Sequence, residues 1–477
     1  MAATRPFGMK RFESLADMMA REIRSGSLPT GSRLPSLRHV MAQHGVSQST
    51  VFRAYYLLED WGLIQARERS GYFVAPGALT RDRVANGSST GSAKVEISDL
   101  VFSVLDAAKR PGIVPFGSAF PSPNLFPLQR LGKSLAQAVR MTNPWSTVVD
   151  LPPGNEQLRR QIALRYIGIG IAQSIDEIVI TNGALEALNL CLTAVTRPGD
   201  VVAVESPGFY AALQAIERLD LRAVQIPVDP QTGLDLEALA RALETHPIRA
   251  CWFMTNFQNP TGVTLTPEKK QALVALLAEH DVPLIEDDVY GELHHDPDYP
   301  PPALAFDNKE LVMHCSSFSK TLAPGYRVGW VSAGRFAGRV QRLKLMTTLS
   351  ASIPAQAGIA DYLRHGGYDK HLRKLRGAFR VQLDAMSAAL AHSLPDGATW
   401  SQPNGGYFLW VKLPRKIDVM RLHFLAIEHG ISIAPGPMFS ASHQFGDCIR
   451  LNFGHPWSAE TGKAVETLAS LIERAER

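Results

Sequence analysis

Apolar residues recur at helical spacing three times within the first 60 residues, which predicts three short helices. Gly26 and Pro29 end the first helix, and Ser36 is placed to cap the second. Gly45 supplies a tight turn, after which Ser47 caps the third helix. Two short helices joined by a glycine turn predict a helix-turn-helix. The alternative is a small helical interaction module.

Two strand-like runs follow the third helix on either side of Ser70 and predict a hairpin, the wing of a winged helix-turn-helix. Arg67 and Arg69 lie near its tip, where they could contact phosphate or enter a minor groove. The early exposed positions of the third helix carry small or hydrogen-bonding side chains, as a helix in a major groove requires. These positions are Ser47, Gln48, Ser49, Thr50 and Arg53.

Positive charge is concentrated at the start of the chain. Residues 1–75 contain ten Lys and Arg and six Asp and Glu, so they hold the whole formal charge of +4. A polyanion could use this excess. The 477 residues are 45% hydrophobic and 20% charged, as in a globular protein of two or more domains. No apolar run reaches transmembrane length, and the four scattered cysteines indicate neither disulfides nor a zinc site.

Residues 76–97 lack apolar periodicity and are rich in Gly and Ser. They predict a flexible tether between a domain over residues 1–75 and a second domain over residues 98–477. In the second domain, strand-like runs alternate with helical patterns, which predicts a mainly parallel α/β sheet that binds its ligand at the carboxyl ends of strands.

Polar clusters fall at those predicted strand ends. They are residues 181–184, before a helix that would favour a phosphate, residues 256–262 and residues 286–290. Any one of them could be routine turn chemistry. Their recurrence at successive strand ends, together with a lysine in residues 311–330, indicates a binding site.

That lysine is Lys320, which Phe318 and Leu322 should hold in a half-buried place where the neutral, nucleophilic amine is favoured. Hydroxyls beside it and Arg327 suit a Schiff base to an aldehyde whose phosphate is held nearby. The alternative is an ordinary surface lysine at a strand end.

The N-terminal segment resembles the GntR family of bacterial transcription regulators. The resemblance lies in Gly-Ser-Arg-Leu-Pro-Ser-Leu-Arg at 31–38, Gly-Val-Ser at 45–47 and Ser-Gly-Tyr at 70–72. It implies that Arg33 and Arg38 bind phosphate or base edges. It also places the early residues of the third helix at the groove and Gly71 at the wing tip. Gln48 replaces the arginine of some members and favours contacts to adenine.

Residues 100–477 resemble fold-type-I aminotransferases that use pyridoxal 5′-phosphate (PLP). The matching motifs are Asn259-Pro260-x-Gly262, Asp287-x-x-Tyr290 and Ser317-x-x-Lys320 with Arg327. The resemblance implies that Lys320 forms the internal aldimine and that Asp287 pairs with the pyridine nitrogen, so that the ring acts as an electron sink. Asn259 and Tyr290 would hold the phenolic oxygen of the ring.

The same resemblance assigns the rest of the site. Ser317, Arg327 and the backbone amides of Gly183, Ala184 and Leu185 would hold the phosphate, and Phe209 would stack on the ring. Arg450 matches the arginine that clasps an amino acid's carboxylate; read without the family, it is a surface strand residue. Val149 replaces a tyrosine that in the family reaches the partner subunit's phosphate. Asn155 or another neighbour could compensate.

A GntR-type reader joined to an aminotransferase-like body is the layout of the MocR subfamily. The implied fold is an α+β winged helix-turn-helix, a fold-type-I α/β large domain and a smaller α+β domain, mainly over residues 385–477. The implied protein is a cytoplasmic bacterial regulator, nucleoid-associated when bound to double-stranded DNA, that forms a domain-swapped homodimer and senses PLP, or an amine or amino acid, by aldimine exchange at Lys320. Two alternatives are a working, partial or vestigial aminotransferase tethered to DNA, and a cofactor reservoir with non-specific DNA affinity.

Overall fold

The computed structural model describes residues 11–24, 28, 31–60, 63–67, 71–74, 93–110, 112–365, 367–414 and 417–475. The chain divides into two compact units, Met1–Ser89 and Thr90–Arg477. Across the described ranges, no helix combines the length and apolar character needed to span a bilayer.

The N-terminal unit has the three helices and the hairpin that the sequence predicts. Its elements are α1 (Arg11–Arg24), α2 (Leu37–His44), α3 (Gln48–Asp60), β1 (Ile64–Arg67) and β2 (Gly71–Val74). The Ser36 hydroxyl caps α2 by accepting the His39 N–H at 3.3 Å, and Gly45 ends it with φ of 60°. Gly26, Pro29, Arg69 and Ser70 lie outside the described residues.

The core of this unit holds one side of α3 against α1. Val51, Ala54 and Leu58 are buried with Leu15 and Ile23 of α1. Because these buried positions share one side of α3, Ser47, Gln48, Ser49 and Arg53 are left exposed. Because one side of α3 is packed in the core, the predicted DNA-reading positions on the rest of the helix face solvent.

The larger unit alternates strands and helices. Its strands are β3 (Ala93–Lys94), β4 (Ile178–Thr181), β5 (Val201–Ser206), β6 (Arg222–Asp229), β7 (Gly233–Leu234), β8 (Ile248–Phe253), β9 (Leu284–Asp287), β10 (Val312–Ser317), β11 (Gly329–Ser332), β12 (Thr399–Trp400), β13 (Phe408–Lys412), β14 (Ala434–Pro435) and β15 (Cys448–Asn452). Its helices are α4 (Ser98–Ala107), α5 (Leu128–Met141), α6 (Ser146–Val149), α7 (Glu156–Gly168), α8 (Ala184–Val195), α9 (Tyr210–Arg218), α10 (Leu236–Thr245), α11 (Pro267–Glu279), α12 (Ala337–Thr347), α13 (Ile353–Arg364), α14 (Tyr368–Ser393), α15 (Val419–Glu428) and α16 (Ala459–Ala475).

The main sheet has the order β3-β6-β5-β8-β9-β10-β11-β4, with β7 paired to β6. The strands from β6 to β10 run parallel, whereas β11 is antiparallel to both β10 and β4. A second, antiparallel sheet has the order β12-β13-β15-β14. This is the mainly parallel α/β body with a smaller α+β part that the resemblance implies.

The end of the predicted tether is corrected by the structure. Ala93 and Lys94 pair with β6 at the edge of the main sheet, and Val95 and Ile97 are buried in its core. Burying the apolar side chains of Val95 and Ile97 removes them from water, which is more favourable in free energy than leaving them in a solvated linker. Residues 93–97 therefore belong to the larger unit, while residues 76–92 lie outside the described ranges.

Candidate functional site

The predicted polar clusters lie at one edge of the main sheet. Asp287 ends β9 and pairs with Cys315 near the end of β10. Thr181 ends β4 and pairs with Gly329 at the start of β11. Since β11 runs opposite to its neighbours, the loops that carry Lys320 and the start of α8 meet at this edge.

Lys320 lies in the turn after β10 and is half-buried, as predicted. Its Nζ donates to the Ala119 carbonyl at 2.7 Å and lies 3.7 Å from the centre of the Phe120 ring. Burial and the nearby Arg450 cation lower the pKa of Lys320 to about 7, against the opposing charge of Asp287. A large fraction of the amine is therefore neutral and nucleophilic at neutral pH.

Asp287 is a buried carboxylate with an unused oxygen. It is 1% exposed, and its Oδ1 has no hydrogen-bond partner among the described residues. Burial and the adjacent Asp288 charge raise the pKa of Asp287 to about 7. A buried acceptor of this kind is stabilised by an N–H donor, so Asp287 fits the protonated pyridine nitrogen of PLP.

Asn259 and Arg450 meet above the same site. Arg450 Nη1 donates to Asn259 Oδ1 at 2.9 Å, and Nη2 donates to the Gly117 carbonyl at 2.7 Å. Asn259 Nδ2 and Arg450 Nε lack partners within the described part of the chain. Arg450 is 1% exposed and lies in β15, so its reading as a surface strand residue is wrong. Both unpartnered donors suit an oxygen-rich ligand.

Tyr290 packs edge-on against Tyr407, with ring centres 5.4 Å apart. Burial raises the pKa of Tyr290 above its ordinary value, so the group is a neutral hydroxyl. Tyr407 Oη donates to the same Ala119 carbonyl that accepts from Lys320. The sequence offers no signal for Ala119 and Phe120, because they lie in an irregular loop.

The start of α8 forms a cradle with Arg327. Gly183 precedes α8 with φ of 86°, and Ala184 and Leu185 begin the helix with backbone N–H groups that lack helical acceptors. Arg327 Nη2 donates to the Asn182 carbonyl at 3.3 Å. A Cβ at position 183 would lie 2.6 Å from that Nη2, so only glycine lets the guanidinium approach. The N–H groups and the cation suit a phosphate.

The two serines before Lys320 differ in their contacts. Ser317 is buried, and its hydroxyl accepts the Ser319 N–H at 3.4 Å. Arg327 Nη1 donates to the Ser319 hydroxyl at 3.3 Å. Ser319 thus contacts Arg327, the predicted phosphate-binding arginine. Sequence reasoning missed Ser319 because the recognised motif contains only Ser317 and Lys320.

Glu186 stabilises the loop that precedes α8. Its carboxylate accepts the Asn182 N–H at 2.6 Å, the Lys344 ammonium at 2.8 Å and the Thr348 hydroxyl at 2.5 Å. Burial alone would raise the pKa of Glu186, but the bonds from Lys344 and Thr348 lower it below its ordinary value. The ionised carboxylate therefore fixes the loop that precedes α8.

The stacking of Phe209 on the cofactor ring and the compensation for Val149 by a neighbour remain predictions. Phe209 is half-buried before α9, with its ring 4.9 Å from that of Tyr210. Val149 is 65% exposed. The side-chain Oδ1 of Asn155 caps α7 by accepting the Leu158 N–H at 3.0 Å, and that contact gives no support to a compensating role.

The predicted DNA-binding residues all belong to the N-terminal unit, and several of them lie close together at the start of α3. Ser47 Oγ is 2.9 Å from Ser49 Oγ and 2.8 Å from Thr50 Oγ1, and it accepts the Thr50 N–H at 3.3 Å. Arg53 is exposed, with its guanidinium 5.9 Å from the Phe12 ring.

The remaining predicted DNA contacts lie before α2, in α2 and in the hairpin. Arg33 is exposed and forms an isolated β-bridge with Phe73, and Gly71 begins β2 opposite Arg67. Arg38 lies in α2, but its side chain is outside the described residues.

Comparison with known families matches both units. The aminotransferase class I and II family matches residues 124–468, and the gntR family of bacterial regulatory proteins matches residues 12–74. Aminotransferases of class I and II are PLP-dependent, and the Asp287 and Asn259 atoms that lack partners among the described residues fit that cofactor.

Individual relatives cover one or both units. The HTH-type transcriptional regulator YdcR of Escherichia coli K12 is 49% identical over 98% of this chain and 99% of its own length. The kynurenine aminotransferase of Pyrococcus horikoshii, solved with PMP, has a TM-score of 0.74 at 30% identity and covers 79% of this chain and 95% of its own. LysN, the α-aminoadipate aminotransferase of Thermus thermophilus, was solved with N-(5′-phosphopyridoxyl)-L-leucine. It has a TM-score of 0.73 at 26% identity, over 80% of this chain and 96% of its own. The chain therefore belongs to the aminotransferase class I and II family by its larger unit and to the GntR family by its N-terminal unit, the combination that defines the MocR layout.

Proposed function

We propose that this protein is a DNA-binding transcription regulator whose larger unit binds PLP at Lys320 and changes state when an amine or amino acid exchanges with that lysine. The observation that carries the cofactor part is the pair of buried atoms, Asp287 Oδ1 and Asn259 Nδ2, that lack partners among the described residues in the site of a lysine of lowered pKa. When bound, PLP supplies an aldehyde that joins to primary amines and a ring that accepts electrons.

Each residue of the site has a distinct role in this proposal. Lys320 supplies the neutral amine, and Asp287 holds a proton on the pyridine nitrogen. Asn259 donates its free Nδ2–H to the phenolic oxygen. Arg327 and the N–H groups at the start of α8 hold the phosphate. Tyr290 would join Asn259 in holding the phenolic oxygen, and Phe209 would stack on the ring.

Arg450 points to the class of effector. Its guanidinium is buried over the Phe408 ring at 4.2 Å and keeps an unpartnered Nε–H. A carboxylate is the ligand that pairs best with a buried guanidinium, because both are planar and oppositely charged. An α-amino acid offers a carboxylate beside a primary amine, so we favour an amino acid over a simple amine.

Binding of such an effector would change the position of the smaller part of the unit relative to the main sheet. Arg450 belongs to the β12–β15 sheet, whereas Asn259 follows β8 of the main sheet. A ligand that contacts both would favour the arrangement in which the two sheets approach most closely. The regulator would couple that closure to the position of the paired DNA readers.

An exposed apolar segment supports assembly as a homodimer. Residues 139–151 carry large apolar side chains that are 42–76% exposed, at Val139, Met141, Trp145, Val148, Val149 and Leu151. Such a patch on a globular unit marks a partner surface. Whether the homodimer is domain-swapped is part of the proposal. In a bacterial cell the DNA-bound form would lie at the nucleoid.

Footprinting with and without amino acids tests the regulator. We expect protection of a site upstream of a neighbouring gene, and a change in that protection when an amino acid is added to the PLP-loaded protein. Lys320→Arg is the matched control, because it keeps the positive charge but cannot form the imine. Absence of any protected site, or an identical amino-acid response in Lys320→Arg, would overturn the proposal.

A working aminotransferase is the second candidate, favoured by the presence of Asp287, Tyr290, Lys320, Arg327 and Arg450 in one site. Multiple turnover of an amino acid with an oxo acid, abolished in Lys320→Ala, would establish it. Conversion that stops after one half-reaction would instead fit a regulator that uses the same chemistry for sensing.

A further inference from the structure

Three consecutive acidic residues end β9, and each has different surroundings. Glu286 is saturated, since it accepts from a threonine hydroxyl at 2.5 Å and from two backbone N–H groups at 2.6 and 3.1 Å. Asp287 presents its unpartnered Oδ1 to the cofactor site. Asp288 points into a separate buried network. Three carboxylates this close must be neutralised in part, because burial makes repulsion between like charges expensive.

Asp288 is neutralised by a histidine. His314 Nε2 lies 3.0 Å from Asp288 Oδ2, and the two side chains are 4% and 1% exposed. Asn256 Nδ2 donates to Asp288 Oδ1 at 3.3 Å, and Tyr299 Oη donates to Oδ2 at 3.3 Å. His314 is thus the partner of Asp288 that can carry a full opposite charge at hydrogen-bond distance.

On the far side of the imidazole, Nδ1 can form a hydrogen bond whether His314 is neutral or protonated. His314 Nδ1 lies 2.7 Å from Tyr166 Oη, which also accepts the Trp330 indole N–H at 3.0 Å. A neutral imidazole can accept the tyrosine hydroxyl proton at Nδ1, and an imidazolium can donate from Nδ1 to the same oxygen. Protonation of His314 at Nδ1 therefore requires only that the hydroxyl hydrogen of Tyr166 rotate away from the imidazole.

The charges that raise the pKa of His314 are Asp288, Glu286 and Asp287 at the carboxyl end of β9, whereas α7 and β11 present the neutral tyrosine and tryptophan rings. The buried Lys270 of α11 also acts on Glu286 and Asp288, and Arg165 and Glu292, which line the same cavity, pair with each other. Burial lowers the pKa of His314, but the bond to Asp288 and the charges of the three carboxylates raise it above its ordinary value. These contacts therefore favour the protonated imidazole, whose positive charge faces Asp288.

We propose that His314 is a positioning residue for the cofactor site, where its pairing with Asp288 removes one negative charge from the surroundings of Asp287. If the negative charge of Asp288 were uncompensated, Asp287 would keep its own proton instead of accepting a hydrogen bond from a protonated pyridine nitrogen, and the group at Lys320 would hold its proton to higher pH. The inference rests on the proposed binding of PLP at Lys320, but not on any regulation of DNA.

The test is the pH titration of the visible absorbance of the PLP-loaded full-length protein. His314→Gln keeps a hydrogen-bonding side chain but removes the positive charge. We expect its titration midpoint to rise by about one pH unit, as a unit charge several ångströms away would produce in a protein interior. The double variant Asp288→Asn with His314→Gln removes both charges, so its midpoint should return close to the wild-type value.

Tyr166→Phe provides an independent arm in case His314→Gln does not fold. It deletes the hydroxyl that receives the Nδ1–H of the imidazolium, so His314 loses its proton more readily and the midpoint should rise as well. A wild-type midpoint in His314→Gln or, if that variant does not fold, in Tyr166→Phe would overturn the inference, as would a double variant that stays shifted. Absence of the visible band from the wild-type protein would contradict PLP binding itself, which separates the two failures.

Discussion

Gly183→Ala places a methyl group where the Arg327 guanidinium now lies. The added Cβ would be 2.6 Å from Arg327 Nη2 and 3.1 Å from its Cζ, so the guanidinium must move. Gly183 also has φ of 86° and ψ of 169°, a region that costs residues with a side chain about 1–3 kcal/mol. The substitution therefore combines backbone strain with displacement of the predicted phosphate-binding arginine.

Gly199→Ala is the matched control for strain. Gly199 has φ of 89° in the turn between α8 and β5, and an added Cβ would meet nothing within 4 Å. Both variants should lose about 1–3 kcal/mol of apo-protein stability. Only Gly183→Ala should also weaken PLP binding. A charged hydrogen bond contributes about 1.5–3 kcal/mol. Because Arg327 is exposed to solvent, we take the lower end, which corresponds to about a tenfold rise in Kd.

Two measurements separate the effects. Urea unfolding of the apo-proteins gives the stability loss of each variant, and titration with PLP followed by visible absorbance gives the Kd. Equal PLP affinity in Gly183→Ala and the wild type would refute the assignment of Arg327 and the α8 amides to the phosphate. An equal loss of affinity in Gly199→Ala would show that strain alone accounts for the effect.

Further predictions concern both units. Arg450→Gln should weaken binding of an amino acid by about tenfold or more while leaving its decarboxylated amine unaffected, as titration of the visible band will show. Burial raises the pKa of Asp287 to about 7, so ionising this carboxylate destabilises the apo-protein as pH rises from about 4 to 7. The Tm of Asp287→Asn should therefore rise relative to wild type between about pH 4 and pH 7, and a constant difference would contradict this. Tyr55→Phe removes a 2.6 Å bond to a backbone carbonyl and should cost the N-terminal unit about 1 kcal/mol in thermal unfolding. On operator DNA, Gln48→Ala should relax base preference at one position, whereas Arg53→Gln should reduce the salt slope of binding by about 1; the reverse pattern would contradict the assigned roles.

The sequence predicts the elements whose signals are local. The α2 caps at Ser36 and Gly45 rest on side-chain and backbone chemistry within a few residues, and the structure has both. The start of α8 at Ala184 follows from the polar cluster at residues 181–184 that precedes an apolar helical pattern. Motif spacing likewise identified Asp287 and Lys320, which the fold brings together at one sheet edge.

Other features depend on packing that no local pattern encodes. The strands β6 and β11 were not predicted, because β6 alternates irregularly and β11 is a short run after the left-handed turn at Arg327. Val95 and Ile97 were assigned to the tether, since two apolar residues in a polar stretch give no periodicity. Ala119 and Ser319 acquire their roles only through the fold, the first through its carbonyl group.

Borohydride reduction of the PLP-incubated protein, followed by peptide mass mapping, tests the central claim most directly. Reduction makes the bond between PLP and an amine permanent, so the attachment site can be located. We predict a pyridoxyl group on Lys320 alone, with loss of the label in Lys320→Arg. An unlabelled Lys320, or equal labelling of other lysines, would contradict the account.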